Sequence, residues 1–384
     1  MDLIWNVSLI CPWDCEFCCT DAVHVQKIAG SVVLRESGLS SNRIIPMGKF
    51  EPEHLRELGI KLNAYDYALI DRQKRGLEID FDSKLSVLKN VHERNPEIDF
   101  AGGDPLACLE NYLLIKKASE MFGKENISVT STGHSLARYS LEELAKIVGT
   151  FEFTYDEPDS CGAEVRPKGY NALNILWAAR IRILGVRTKC QIPLQSNNIS
   201  IERIREIYQR LTDSGIEEIL LMRTFPVGRG AKFLNEKSIE LGPRDYISAI
   251  SEFRKLECSI GGPRVRVQCA LKNLFPKERA SNPCDLMQSS FGINSKGQLL
   301  LSAWATNAVG LPLAEEFVLG DLSKQSISEI ESSERFLRYK VRLDENFGHC
   351  KIFAYVNSEI KSENAIFMRT DPLFSNLNNQ LSKS

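Results

Sequence analysis

Two periods of apolar and polar residues take turns along this chain. Residues 3–10, Leu-Ile-Trp-Asn-Val-Ser-Leu-Ile, are rich in apolar and β-branched side chains and predict a first strand. Leu85, Val87, Leu88 and Val91 recur at helical spacing and predict a helix over Asp82–Arg94, with Asp82 as its cap. From there the periods alternate. Strands are predicted over Glu97–Ala101, Asn126–Thr132, Phe151–Asp156, Arg187–Leu194 and Glu217–Phe225. Each is followed by a helix, over Glu110–Phe122, Leu141–Val148, Tyr170–Leu184, Ile201–Ser214 and Arg244–Leu256 in turn. Counting the first strand, six β–α units imply an α/β protein with a parallel sheet and helices outside.

The strands themselves say how the sheet is covered. Central strands of a doubly wound sheet are buried on both faces and read as continuous apolar runs. Here Ser128, Thr130 and Thr132 oppose Ile127 and Val129, and Glu152, Thr154 and Asp156 oppose Phe151, Phe153 and Tyr155. Arg187, Lys189 and Gln191 oppose Thr188, Cys190 and Ile192. One polar face suits a lumen around a polar ligand, so the pattern favours a (β/α)6 partial TIM barrel with its site at the C-terminal strand ends.

Two regions depart from the alternation. About residues 20 to 80 form a long insertion, with an extended Ser-Val-Val-Leu-Arg stretch and a polar helical stretch over Ala64–Arg75; it reads either as a lid over the substrate or as structural embellishment. Beyond about residue 235 a strand (Val265–Leu271), a hairpin around Asn294-Ser-Lys-Gly297 and a helix (Ile327–Lys340) predict a smaller α+β domain. The expected division is a core at 1–235, a second domain at 236–370 and a disordered tail at 371–384.

Composition narrows the classes. The net charge is −2, with no global basic footprint, so nucleic acid is not an expected partner. No apolar run reaches the roughly 18 residues that span a bilayer, and no basic signal segment opens the chain. Eleven cysteines, an odd number with three of them clustered, fit a reducing cytoplasm better than a disulfide framework.

Those three cysteines carry the chemistry. Cys11-Pro-Trp-Asp-Cys15-Glu-Phe-Cys18 is a C-x3-C-x2-C run, and chance would place one in such a chain roughly 0.01 times. Thiolates are the ligands of choice for iron–sulfur clusters and zinc. A zinc knuckle ordinarily takes four ligands in paired units, and the side chain of Cys19 diverges from that of Cys18, so the count of three favours a cluster with one open iron.

This run, after an apolar strand and with aromatic Phe17 before its last cysteine, resembles the cluster loop of the radical SAM enzymes. The resemblance implies that Cys11, Cys15 and Cys18 hold a [4Fe–4S] cluster whose open iron takes S-adenosylmethionine, with Phe17 near the adenine. Gly102-Gly103-Asp104-Pro105 after the second strand resembles the family's glycine motif, whose backbone binds the methionine amino group; the family commonly has Glu where Asp104 stands. Ser131 and Thr132 would lie near the ribose or carboxylate. Asp156, Arg166, Gln191 and Arg223 are candidates for contact with substrate or with the cosubstrate's carboxylate. Cys161 and Cys190 are candidate hydrogen donors to a radical, against the ordinary reading of lone buried cysteines. Pro226-Val-Gly228-Arg-Gly230 lacks the Lys-Ser/Thr pair of a phosphate loop and reads as architecture.

The C-terminal layout resembles the SPASM or twitch extension, which in relatives holds auxiliary clusters. Cys284, Gly297, the Gly320-Asp-Leu segment and Cys350 keep its frame, but Ser302 and Ala303 stand where a Cys is expected and Lys351-Ile-Phe follows Cys350. The expectation is one cluster in all, with a C-terminal scaffold that has lost its metal. Partners implied are a one-electron donor such as flavodoxin or ferredoxin and a peptide or small-molecule substrate. With ten residues ahead of Cys11, a leader-peptide-binding domain is not expected there. The rival classes are a radical SAM enzyme for small molecules or nucleotides and a non-catalytic iron–sulfur or zinc protein.

Overall fold

The computed structural model describes residues 1–36, 42–48, 52–56, 60–158, 165–237, 241–275, 282–307 and 310–374. The first strand, β1 (Asp2–Ser8), runs into a short β2 (Ile10–Cys11), which opens the insertion strands β3 (Val23–Ile28), β4 (Ser31–Arg35) and β5 (Arg43–Pro46). The remaining strands of the expected barrel follow: β6 (Glu97–Gly102), β7 (Ile127–Thr130), β8 (Thr150–Thr154), β9 (Arg187–Leu194) and β10 (Glu218–Arg223). Later come β11 (Arg264–Val267), β12 (Ser290–Ile293), β13 (Gln298–Leu300) and β14 (Val318–Asp321).

The six barrel strands pair in parallel in the order β10-β9-β8-β7-β6-β1. The sheet does not stop there. β11 adds in parallel beside β10, and β12 adds in parallel beside β1, with β13 and β14 continuing antiparallel. The strand expected within the C-terminal unit near residue 265 therefore extends the barrel sheet, and the hairpin at Gly297 extends its other edge.

The sheet is curled. Asp2 on β1 and Arg266 on β11 line one cavity of about 390 Å³ although five strands lie between them; in a flat sheet they would stand about 29 Å apart. The alternation read from the sequence is the two faces of this curl. Asp99, Ser128, Thr130, Glu152, Lys189 and Gln191 line the lumen. Ile98, Phe100, Val129, Phe151, Cys190 and Ile192 are buried in the layer behind.

Helices cover the outside within a residue or a few of expectation, with two local differences. Phe81–Val91 is capped by Asp80, whose side chain accepts from Ser83 N, and not by Asp82. The helix expected over Ile327–Lys340 is two, Ile327–Glu331 and Glu334–Lys340, because Ser333 turns out of the first and caps the second through Phe336 N. The tail expected to be disordered from Asp371 is ordered at its start: Asp371 and Leu373 are buried, and the rest, from residue 375, lies outside the described residues.

The insertion builds a second sheet, β2-β3-β4-β5, backed by the helix Ala64–Lys74. Its buried Arg72 pairs with Glu36 and Glu78, and Glu78 accepts from Leu9 N at 3.1 Å. This places a braced unit directly beneath the cysteine run, since β2 ends on Cys11 and pairs with β3.

Candidate active site

At the C-terminal strand ends one cavity of about 170 Å³ is lined at once by Cys11, Cys15, Cys18, Gly102, Gly103, Ser131, Thr132, Arg166, Gln191 and Arg223. The cysteine loop is held by its own backbone. Trp13 N donates to Cys11 Sγ at 3.4 Å, and Ala22 N donates to Cys18 Sγ at 3.4 Å. Burial pushes the Cys11 thiol well up, with Asp104 adding to it, and burial also raises Cys15, which the Arg166 guanidinium opposes. Burial and neighbouring Cys18 push Cys19 up to about 12. Such thiols give up their protons to a bound metal and not to water. Among the described residues no three His, Cys, Asp or Glu side chains converge tightly enough to chelate a single metal ion; a cubane takes each thiolate on a separate iron. Three thiols on one loop around one cavity, with N–H groups already aimed at two sulfurs, fit an iron–sulfur cluster.

The glycines are there because backbone passes backbone. A Cβ on Gly102, whose φ is +119°, would lie 2.2 Å from Ser8 O, and one on Gly103 would lie 2.3 Å from Ile10 O. Gly103 N and Asp104 N donate to Ser8 O and Ile10 O at 2.8 Å each, which ties this turn to the strand that launches the cysteine loop.

Asp104 follows the two glycines. It turns away from the cavity and is fully buried, accepting from Ser131 Oγ (2.5 Å), Thr132 Oγ1 (2.6 Å), Ser135 Oγ (2.9 Å) and Leu106 N. Burial raises its carboxyl and those hydroxyls oppose the shift. It positions Ser131 and Thr132, which do line the cavity. Pro105 starts the 3-10 turn behind it and is likewise buried away from the cavity.

Arg166 lies between two aromatic rings, 4.2 Å from the Phe17 centroid and 4.6 Å from that of Tyr170. Its guanidinium makes a two-nitrogen contact with buried Asp156 (2.7 and 3.0 Å). Burial works against the Arg166 charge, and Asp156 outweighs it. Phe17, Arg166, Tyr170 and Trp13 thus make one side wall. Gln191 donates to Glu152 Oε2 at 2.7 Å, and Lys189 pairs with the same carboxylate. Arg223 pairs with Asp371 at 2.8 Å and stacks over Phe353, so its charge is already met by the chain's own tail.

One candidate hydrogen donor falls away from the site. Cys190 points into the layer behind the sheet, donating to Tyr155 O at 3.8 Å, because strand alternation that sends Lys189 and Gln191 inward sends it outward. Cys161 lies outside the described residues. The sequence reading missed Trp304, stacked on Phe225 at 4.9 Å, Met222, Thr20 and Arg229, all of which line the cavity. For Arg229 a signal existed: it is the one charged residue in the turn Pro226–Gly230, which was read as architecture.

No protein-family model matches the chain, and no curated protein matches it by sequence. Solved structures do match, and the chain shares its fold with them. It superposes on anSMEcpe with bound S-adenosylmethionine at a TM-score of 0.57 and 14% identity, over 100% of this chain and 98% of that one. It superposes on Streptococcus suis SuiB bound to S-adenosylmethionine at a TM-score of 0.57 and 12% identity, over 88% of this chain and 67% of that one, so it spans about two thirds of SuiB's length. Other structures of the two proteins hold peptides: SuiB with the precursor peptide SuiA, and anSMEcpe with Kp18Cys. No helix among the described residues is long and apolar enough to cross a membrane.

Proposed function

We propose that this protein is a radical SAM enzyme, with Cys11, Cys15 and Cys18 as ligands of one [4Fe–4S] cluster and S-adenosylmethionine as cosubstrate. The observation that carries the reading is the single cavity where three cysteines, two close-approach glycines and two positioned hydroxyls meet, on a fold shared with proteins that bind S-adenosylmethionine. When bound, the cluster supplies the electron, drawn from an external donor such as flavodoxin or ferredoxin, that splits the sulfonium into methionine and a 5′-deoxyadenosyl radical able to take hydrogen from a substrate.

The chain's own groups bind and orient. Gly102 and Gly103 leave bare backbone for the methionine amino group. Asp104 takes the one proton of each of the Ser131 and Thr132 hydroxyls, so their oxygens are left as acceptors, suited to a ribose hydroxyl. Phe17 and Tyr170, held flat by Arg166 between them, offer the apolar face for adenine. Trp304 on Phe225 closes the cavity toward the C-terminal strands and keeps water from the reacting atoms. For the substrate we favour a peptide or protein side chain, supported by the peptide-bound structures that share this fold.

Anaerobic reconstitution is expected to give a brown protein that forms 5′-deoxyadenosine from S-adenosylmethionine with dithionite, and Cys15→Ala should lose both colour and product. A colourless, zinc-loaded wild type contradicts the reading.

A further inference from the structure

The turn that closes the last barrel strand is pressed against the cysteine loop. Gly228 sits at φ +57°, and a Cβ there would lie 2.6 Å from Cys19 O; a Cβ on Gly230 would lie 2.2 Å from Phe225 O. Between these glycines Arg229 reaches across. Its backbone N donates to Cys18 O at 3.0 Å. Its Nε donates to Cys15 O at 2.9 Å, and its Nη1 donates to Ala22 O at 2.9 Å and to Asp21 Oδ1 at 3.1 Å. Those bonds fix the plane of the guanidinium. They leave Nη2 buried with no hydrogen-bond partner, in a side chain that lines the cavity of the three cysteines.

A buried guanidinium N–H without an acceptor is an expensive arrangement. The cavity that Arg229 lines is the one lined by Cys11, Cys15 and Cys18, and no group of the chain meets Nη2 there. An arginine cannot escape the cost by losing its proton.

We propose that Arg229 Nη2 donates a hydrogen bond to the cluster, at the Cys18 thiolate or an inorganic sulfide beside it, and that its fixed charge raises the cluster's reduction potential. This rests on the cluster assigned above to Cys11, Cys15 and Cys18. Reduction adds one electron to the cluster and breaks no bond, so the reduced form is more negative by one charge. A buried cation in contact stabilises that form more than the oxidised one.

The test is a redox titration of the reconstituted full chain, followed by electron paramagnetic resonance, without S-adenosylmethionine or substrate and with dithionite as reductant. Arg229→Gln is expected to lower the equilibrium constant for reduction about tenfold, a midpoint about 59 mV more negative, at an unchanged iron content. Arg229→Lys, which keeps the charge, should titrate closer to wild type. An Arg229→Gln protein with full iron and the wild-type midpoint overturns the proposal.

Because Nε and Nη1 also brace the loop, the glutamine variant risks losing the cluster outright. Wild-type protein labelled with nitrogen-15 only at arginine guanidino nitrogens then decides. Its reduced cluster should show a nitrogen-15 hyperfine coupling that survives Arg166→Lys, and absence of that coupling overturns the proposal. A wild type that takes up no iron removes the enzyme reading itself. Iron uptake without the coupling or the shift removes only the role of Arg229.

Discussion

Two sets of cysteines in this molecule have opposite surroundings. Cys11, Cys15 and Cys18 come from eight consecutive residues and share a cavity, and their neighbours offer them N–H groups and a guanidinium. Cys269, Cys284 and Cys350 come from three separate places in the C-terminal half, and charged side chains of the chain itself have moved in among them. The buried Lys351 ammonium lies 3.9 Å from Cys284 Sγ and donates to Leu343 O and Asn346 Oδ1, each at 3.1 Å. Cys350 N donates to Asp371, which also holds Arg223. A C-x2-C pair would put its second cysteine at 353, where the chain has Phe353, and Lys351 lies between the two positions. The first set is arranged for something that comes from outside, and the second is filled from within.

The contrast makes sorted predictions: changes in the second set should cost stability, and changes in the first should cost metal and cosubstrate. The largest stability effect is expected at Asp371. Its alanine variant leaves the buried Arg223 charge unmatched, at about 3–5 kcal/mol, read as a lowered urea midpoint. A midpoint equal to wild type would mean that the tail is no part of the closed set.

Next is Gly103→Ala on the other side of the comparison. Its Cβ meets two backbone oxygens, Ile10 O at 2.3 Å and Leu9 O at 2.6 Å, which cannot both move, and overpacking of this kind costs about 1–3 kcal/mol. The same shift should weaken S-adenosylmethionine binding, followed by equilibrium dialysis; unchanged binding would break the link between the glycine turn and the site. Lys351→Met keeps the stem but strips the Leu343 carbonyl and Asn346 amide oxygen of their donor, for about 1–2 kcal/mol. It should leave iron content untouched, and a variant that gains iron would show that Lys351 alone keeps metal out.

Legibility followed distance along the chain. The cysteine loop could be read because its three cysteines fall within eight residues, and the lumen because strand alternation is a local pattern: Ser128, Thr130, Glu152, Lys189 and Gln191 are all where the polar face placed them. What needed a distant partner was not legible. The burial of Asp104 under three hydroxyls was hidden because Ser131, Thr132 and Ser135 lie 27 to 31 residues away. Asp371 looked like disordered tail because its partner Arg223 is 148 residues back. The same holds for β11 and β12, whose places at the two edges of the barrel sheet are set by pairing and not by their own composition.

The lumen also gives the smallest effect, one of pH. Burial, with Glu152 close by, pushes Asp99 up to about 7 against the help of Thr130. The folded state therefore keeps this proton where the unfolded chain, with an ordinary value of about 4, has lost it. This contribution to stability falls as the pH rises from about 4 to about 7 and levels above. In Asp99→Asn the unfolding midpoint should depend less on pH over that window, and an identical slope would show that Asp99 does not hold the proton.

The central claim is that one set of cysteines holds metal and the other does not, and an iron and sulfide count tests it most directly. After anaerobic reconstitution the wild type is expected to carry about four irons and four sulfides per chain, and the Cys11/Cys15/Cys18 triple alanine variant close to none. About eight irons in the wild type, or about four retained in the triple variant, would contradict the account.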